Sequence, residues 1–302
     1  MGRGMKGYLL AVAVLVAAMG SACSWADTDD PDSSEAQGGT VSTDGTSPPS
    51  HARLDGFQQD RTFWNRLTIH EPFYFIAGPD RPEVKFQFSI KYRLLNFGSS
   101  QGAENPHTLQ LGYTQRSLWD VGGPSSPFYD TSYMPELMYQ WRETATAPPS
   151  EENGLLWLGL QSGLRHESNG KDGAASRSLN VVYAQPMFSV GSPERWHVVF
   201  LPELWTYVGS LSDNPTLPRY RGYGQLRTVI GKGQGPSLLV TLIPGEHFEH
   251  GSRELDLSFP IGVKSIDLSC YLLLQYFDGY GESLLDYNQH TSRLRVGFAL
   301  VR

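Results

Sequence analysis

The chain is poor in cysteine, in charge and in long apolar runs, and each shortage narrows its class. Only two cysteines occur in 302 residues, Cys23 near the start and Cys270 near the end, so a disulfide framework is excluded. Charged residues make up 18% and the formal charge is -7, which rules against a nucleic-acid binder as the default reading. Beyond the N-terminal region no apolar stretch approaches the length of a membrane helix, so a membrane protein made from this chain has to be a barrel. His247 and His250 flank Phe248-Glu249 without cysteine or acidic partners at zinc spacing, so zinc is not expected there. Aromatics are plentiful instead, at 12%, and 32 glycines punctuate the chain, as turn-rich β structure requires.

The first 26 residues read as a signal peptide. Arg3 and Lys6 precede a short apolar run from Tyr8 to Met19, and Ser24-Trp25-Ala26 offers a small-x-small cleavage site. Lipidation of Cys23 is the alternative, disfavoured by Gly20 where a large aliphatic residue is usual. Residues 27–60 are rich in Ser, Thr, Gly, Asp and Pro with almost nothing to bury, and are expected to form a disordered tether. The remainder, 61–302, is one domain.

Its dominant signal has period two. Val84, Phe86, Phe88, Ile90, Tyr92 and Leu94 alternate with Lys85, Gln87, Ser89, Lys91 and Arg93. The same alternation recurs in 109–114, 133–142, 196–204, 254–259, 266–276 and 293–300, and more weakly near 219–231, 235–245 and 281–290. With the two segments described next, about twelve strands of roughly ten residues result. A polar face that repeats Arg, Lys and Glu opposite aromatics suits a charged lumen, and tyrosine and tryptophan near strand ends suit an aromatic girdle. The expected fold is all-β: a single twelve-stranded antiparallel transmembrane barrel in the outer membrane.

One strand carries unusual cargo. Leu156, Leu158, Leu160, Ser162, Leu164, His166 and Ser168 fall on one face, with Trp157, Gln161, Arg165 and Glu167 opposite. The next segment, Ser178, Asn180, Val182, Ala184, Pro186 and Phe188, repeats the pattern. A hairpin would bring Asn180 onto the surface that holds His166 and Ser168. A nucleophile, a base and a neutral amide on a lipid-facing wall suit hydrolysis of a lipid ester. Polar residues at the rim of a plain barrel are the alternative.

The string His166-Glu167-Ser168-Asn169-Gly170, followed by Ser176-Arg177-Ser178-Leu179-Asn180, resembles the active-site segment of the outer-membrane phospholipase A family. Tyr113 to Trp119, Ser125 to Phe128, Tyr133 to Glu136 and Gly279 to Tyr287 resemble further blocks of that family, in its order. The resemblance implies that Ser168 is the nucleophile, His166 the general base and Asn180 the residue that orients the imidazole. It also implies a calcium-dependent homodimer acting on phospholipids and lysophospholipids. Ca2+ would be held by Ser176 and the Lys171 carbonyl of one subunit and by Ser125 of the other. Gln115 is expected at the dimer contact, because an unpaired amide in a lipid-facing row is costly. Lys171 and Leu179 stand where the family pattern has Arg and Trp. Rival expectations are a porin-like barrel without activity, a lipid A deacylase, and a soluble serine hydrolase, the last disfavoured because no Gly-x-Ser-x-Gly elbow surrounds Ser168.

Overall fold

The computed structural model describes residues 63–97, 107–143, 154–263 and 268–302. The expected signal peptide and the whole of the expected tether lie outside these residues. The barrel belongs to a compact unit of Asp60–Ile261 and Ser269–Arg302. Its strands are β1 (Leu67–Ile69), β2 (Phe73–Ala77), β3 (Val84–Phe97), β4 (His107–Trp119), β5 (Phe128–Arg142) and β6 (Leu155–Ser168). They continue as β7 (Ser178–Gly191), β8 (Trp196–Tyr207), β9 (Gly224–Lys232) and β10 (Ser237–Ile243), then β11 (Ser252–Val263), β12 (Leu268–Gly279) and β13 (Thr291–Val301). From β2 onward each strand pairs with its sequence neighbours, and β13 pairs with β2, so the sheet closes on itself.

Closure gives twelve staves, because β1 and β2 share one. Both pair antiparallel with β3, Leu67 opposite Tyr92 and Tyr74 opposite Gln87, with His70, Glu71 and Pro72 between them. The expected count of twelve therefore holds with one exchange. Residues 281–290, read from sequence as a weak strand, form turns between β12 and β13, and the broken stave 67–77 takes the place left free. At the break the chain reaches inward: His70 Nε2 lies 2.5 Å from Glu136 Oε1 on β5, and Arg227 on β9 lies 2.9 Å from Glu71. Segment 219–231 also differs, since its first residues belong to α1 (Leu217–Arg221) and only the rest is strand. Pro218 fits the first turn, where its missing N–H costs nothing, and Gly222 ends the helix at φ 56 with its N–H on the Pro218 carbonyl.

Alternation sorts the faces as expected, with two resets. The register slips between Arg93 and Leu95, so Leu95 and Phe97 face out in place of Leu94. It slips again between Trp157 and Gly159. There Trp157 joins the outer aromatics, its ring 5.9 Å from Trp141 and 5.1 Å from Phe188. A bulge adds one residue and exchanges the faces beyond it. Cys270, in the same strand row as the exposed Leu272 and Leu274, is a buried free thiol.

The lumen holds paired charges. Lys85 Nζ donates to Glu254 Oε2 and Gln275 Oε1, both at 2.7 Å. Arg295 pairs with Glu282 at 2.6 Å, and Arg165 with Glu203 at 2.6 Å. Buried charges persist only when partnered, and here the strands themselves bring the partners face to face. An apolar cluster of Leu179, Val181, Leu217, Leu284 and Tyr287 fills one end. Leu179, which departs from the family pattern, belongs to that packing.

Candidate active site

β6 and β7 form the hairpin expected from sequence. In its ladder His166 stands opposite Asn180 and Ser168 opposite Ser178, while Tyr133 of β5 faces Ser168 from the other side. The bulge at Gly159 lies toward the far end, so the row from Leu160 to Ser168 keeps its phase. His166, Ser168 and Asn180 share the outer surface with Leu164, which is 54% exposed.

The ring is held by one strong contact, His166 Nδ1 to Asn180 Oδ1 at 2.8 Å. An amide oxygen can only accept, so the proton sits on Nδ1 and Nε2 presents its lone pair. Neither Nε2 nor Ser168 Oγ hydrogen-bonds to another described residue, which leaves both free to meet a substrate. Directly behind, Glu167 points into the lumen. It accepts from Ser132 Oγ at 2.7 Å and from Arg221 Nη1 at 2.6 Å. The peptide between the candidate base and nucleophile is thus anchored from inside.

The β6–β7 loop is organised by Asn169, a buried side chain whose role composition does not announce. Its amide donates to the Ala175 carbonyl at 2.9 Å and accepts from the Arg177 N–H at 3.0 Å and the Lys171 N–H at 3.3 Å. Gly170 has φ 66, and a Cβ there would meet the Tyr133 ring at 2.9 Å, so both conformation and space require glycine.

Of the residues implied for calcium, Lys171 and Ser176 lie in this one loop. The Lys171 ammonium donates to the Tyr129 carbonyl at 2.7 Å, and the Ser176 hydroxyl donates to Asp213 Oδ2 at 2.8 Å. Asp213 was missed in the sequence, where 208–218 carries no alternation to read. It adds a carboxylate to the expected donors Ser176, Lys171 and Ser125. A carbonyl, a hydroxyl and a carboxylate form an all-oxygen donor set that fits a hard cation. Ser125 is exposed on the β4–β5 turn at φ 63, next to Ser126, whose hydroxyl donates to the Val121 carbonyl at 2.9 Å.

Gln115 is not the unpaired amide that sequence reasoning supposed. It accepts from Tyr113 Oη at 3.0 Å and donates to Ser117 Oγ at 3.3 Å. Rows of hydroxyls two residues away on the same face supply these partners. His250, left without a zinc role, packs edge-on against Tyr220 and Tyr280.

A closed antiparallel barrel that bears a His–Asn pair and a serine on its outer wall fits one class, the outer-membrane hydrolases. The comparisons with known proteins agree. The Phospholipase A1 family model matches residues 60–300, and the chain belongs to that family. Phospholipase A1 of Escherichia coli strain K12 is 35% identical over 226 residues, covering 73% of this chain and 70% of its own. Among solved structures, outer membrane phospholipase A from Escherichia coli superposes with a TM-score of 0.65 at 28% identity, covering 78% of this chain and 91% of that one. The Salmonella typhi outer membrane phospholipase, a dimer with bound calcium, gives 0.65 at 26% identity, with 82% and 96% covered. The protein is a phospholipase of the Gram-negative outer membrane.

Proposed function

We propose that the protein hydrolyses acyl esters of glycerophospholipids and lysophospholipids through Ser168, His166 and Asn180, with calcium and in a homodimer. The reading is carried by the 2.8 Å His166–Asn180 contact on the lipid-facing wall, two residues along the strand from Ser168. Ser168 Oγ attacks the ester carbonyl while His166 Nε2 takes its proton. The imidazolium then protonates the departing glycerol oxygen, leaving an acyl-serine. A water molecule, deprotonated by the same nitrogen, releases the fatty acid and restores the hydroxyl. Asn180 keeps Nδ1 protonated and the ring aimed throughout. An amide does this without the desolvation cost that a carboxylate facing lipid would carry.

The Lys171 carbonyl and the Ser176 hydroxyl, with Asp213 alongside, would hold calcium in one subunit, and Ser125 from a second copy would complete the set. When bound, the cation supplies positive charge to offset the oxyanion that forms as the carbonyl is attacked. The bound copy would lie along the Gln115 face. Among the described residues Gln115 uses one of its two amide hydrogens, which leaves the other to donate across a contact. A pore-forming reading is disfavoured, because the lumen is crossed by His70–Glu136, Glu71–Arg227 and Lys85–Glu254 contacts.

The test is a calcium titration of phospholipid hydrolysis by the refolded protein, run beside chemical cross-linking. Metal binding and dimerisation should tighten one another by the same factor. Gln115→Leu is expected to fold, to lower the dimer fraction and to raise the calcium needed for half-maximal rate. A lower dimer fraction at unchanged calcium dependence would show that calcium acts within one subunit.

A further inference from the structure

The segment Gly279 to Tyr287 is a block of the family resemblance with no part in the chemistry above. It folds over the end of the barrel, and two consecutive residues in it reach the two sides of the β6–β7 loop. Asp286 accepts the Tyr129 hydroxyl, and the Tyr129 carbonyl in turn accepts Lys171 Nζ at 2.7 Å. The next residue of β5, Asp130, is tied to the same segment, accepting from Ser283 Oγ and from the Leu285 N–H at 2.8 Å each. On the other side Tyr287 Oη lies 2.9 Å from Thr216 Oγ1. Thr216 closes the stretch in which Asp213 accepts the Ser176 hydroxyl at 2.8 Å and Asn214 accepts the Ser178 N–H at 3.0 Å. One arm ends on Lys171 and the other on Ser176.

We infer that Asp286 and Tyr287 are positioning residues for the cation: through Tyr129 and Thr216 they set the separation between the Lys171 carbonyl and the Ser176 hydroxyl. The inference rests on the assignment of those two groups to calcium. Coordination distances are narrow, so a loop whose two donors drift apart loses affinity. Asn169 fixes the internal shape of the loop and the β6–β7 ladder fixes its two ends, but neither holds the Lys171 and Ser176 side chains against their surroundings. The two arms supply that. A segment that merely closed the barrel end would alter thermal stability and leave calcium affinity alone.

Tyr129→Phe and Tyr287→Phe each remove one hydroxyl that touches neither substrate nor metal. The readout is calcium affinity by calorimetry on the refolded full-length protein, with Ser176→Ala as control and thermal unfolding alongside. Each phenylalanine variant is expected to weaken calcium about 3- to 10-fold, the range a single net hydrogen bond supports. The arms leave adjacent residues and set one separation, so the double variant should weaken calcium by less than the product of the two single effects. Lys171→Met keeps the carbonyl, drops the ammonium and should weaken calcium in the same way without disturbing the buried segment. If Ser176→Ala weakens calcium and none of these three variants does, the positioning role is overturned. If Ser176→Ala leaves calcium binding intact, the calcium assignment itself is wrong and the inference falls with it.

Discussion

The two faces of β6 differ in how completely their polar groups are satisfied. Inward, Gln161 donates to the Tyr183 hydroxyl at 3.1 Å, Arg165 pairs with Glu203 at 2.6 Å, and Glu167 is held by Ser132 and Arg221. Outward, His166 has the single contact to Asn180 and Ser168 has none among the described residues. One strand therefore serves two purposes, separated by the side to which each residue points. Stability is concentrated where partners are saturated, and the proposed chemistry falls where valences are left open.

The sharpest way to break this comparison is to exchange the expected consequences of mutation. Ser168→Ala and His166→Ala should lower turnover by about 10^3-fold or more, because in the proposed mechanism each group takes part in bond making or proton transfer. Both should unfold at the wild-type temperature. A large drop in stability would mean that the outer face is structural after all.

Glu167→Ala, between those two residues, should do the reverse. It leaves Arg221 without its partner at 2.6 Å and Arg116 without a carboxylate at 3.8 Å. Stranding a buried charge costs about 3–5 kcal/mol, to be read as loss of stability in thermal or denaturant unfolding. Turnover corrected for folded protein should fall far less than in Ser168→Ala.

Asn180→Ala comes next in size. In the proposed mechanism losing the orienting amide frees the ring without removing the base, so turnover should fall about 10- to 100-fold, measured under the same assay. Loss as complete as in Ser168→Ala would give Asn180 a direct chemical role.

The smallest effect concerns acid. Burial alone would raise the Glu282 carboxyl, but Lys85, Arg295 and Arg293 outweigh it and hold it below the ordinary 4.5. A depressed carboxylate adds stability that is fully present above that value and disappears as pH falls through its folded value. Thermal unfolding scanned through the acid range should therefore show a shallower acid decline for Glu282→Gln than for wild type. Identical slopes would remove Glu282 from the lumen's share of stability.

The same contrast explains what could be read from sequence. Period two is imposed by the strand itself, so the row ending in His166 and Ser168 was legible, and a hairpin was enough to add Asn180. Bulges are not written in that period: Trp157 and Leu94 were placed on the wrong faces because one extra residue resets the count. Stave 67–77 was hidden by Pro72 and its break, while 281–290 borrowed the look of a strand from apolar residues that instead pack with Leu179 and Val181 at the barrel end. Asp213 and Asn214 sit in an irregular stretch whose partners, Ser176 and Ser178, are set only by the closed barrel. The partners of Gln115 lie two residues away on either side, and were legible in principle from Tyr113 and Ser117.

The most direct measurement is to treat the refolded protein with a serine-directed fluorophosphonate and locate the adduct by mass spectrometry. The expected result is one phosphonylated residue, Ser168, with labelling lost in His166→Ala although that variant stays folded. Labelling at another serine, such as Ser178 across the ladder, or labelling of Ser168 that does not depend on His166, would contradict the assignment.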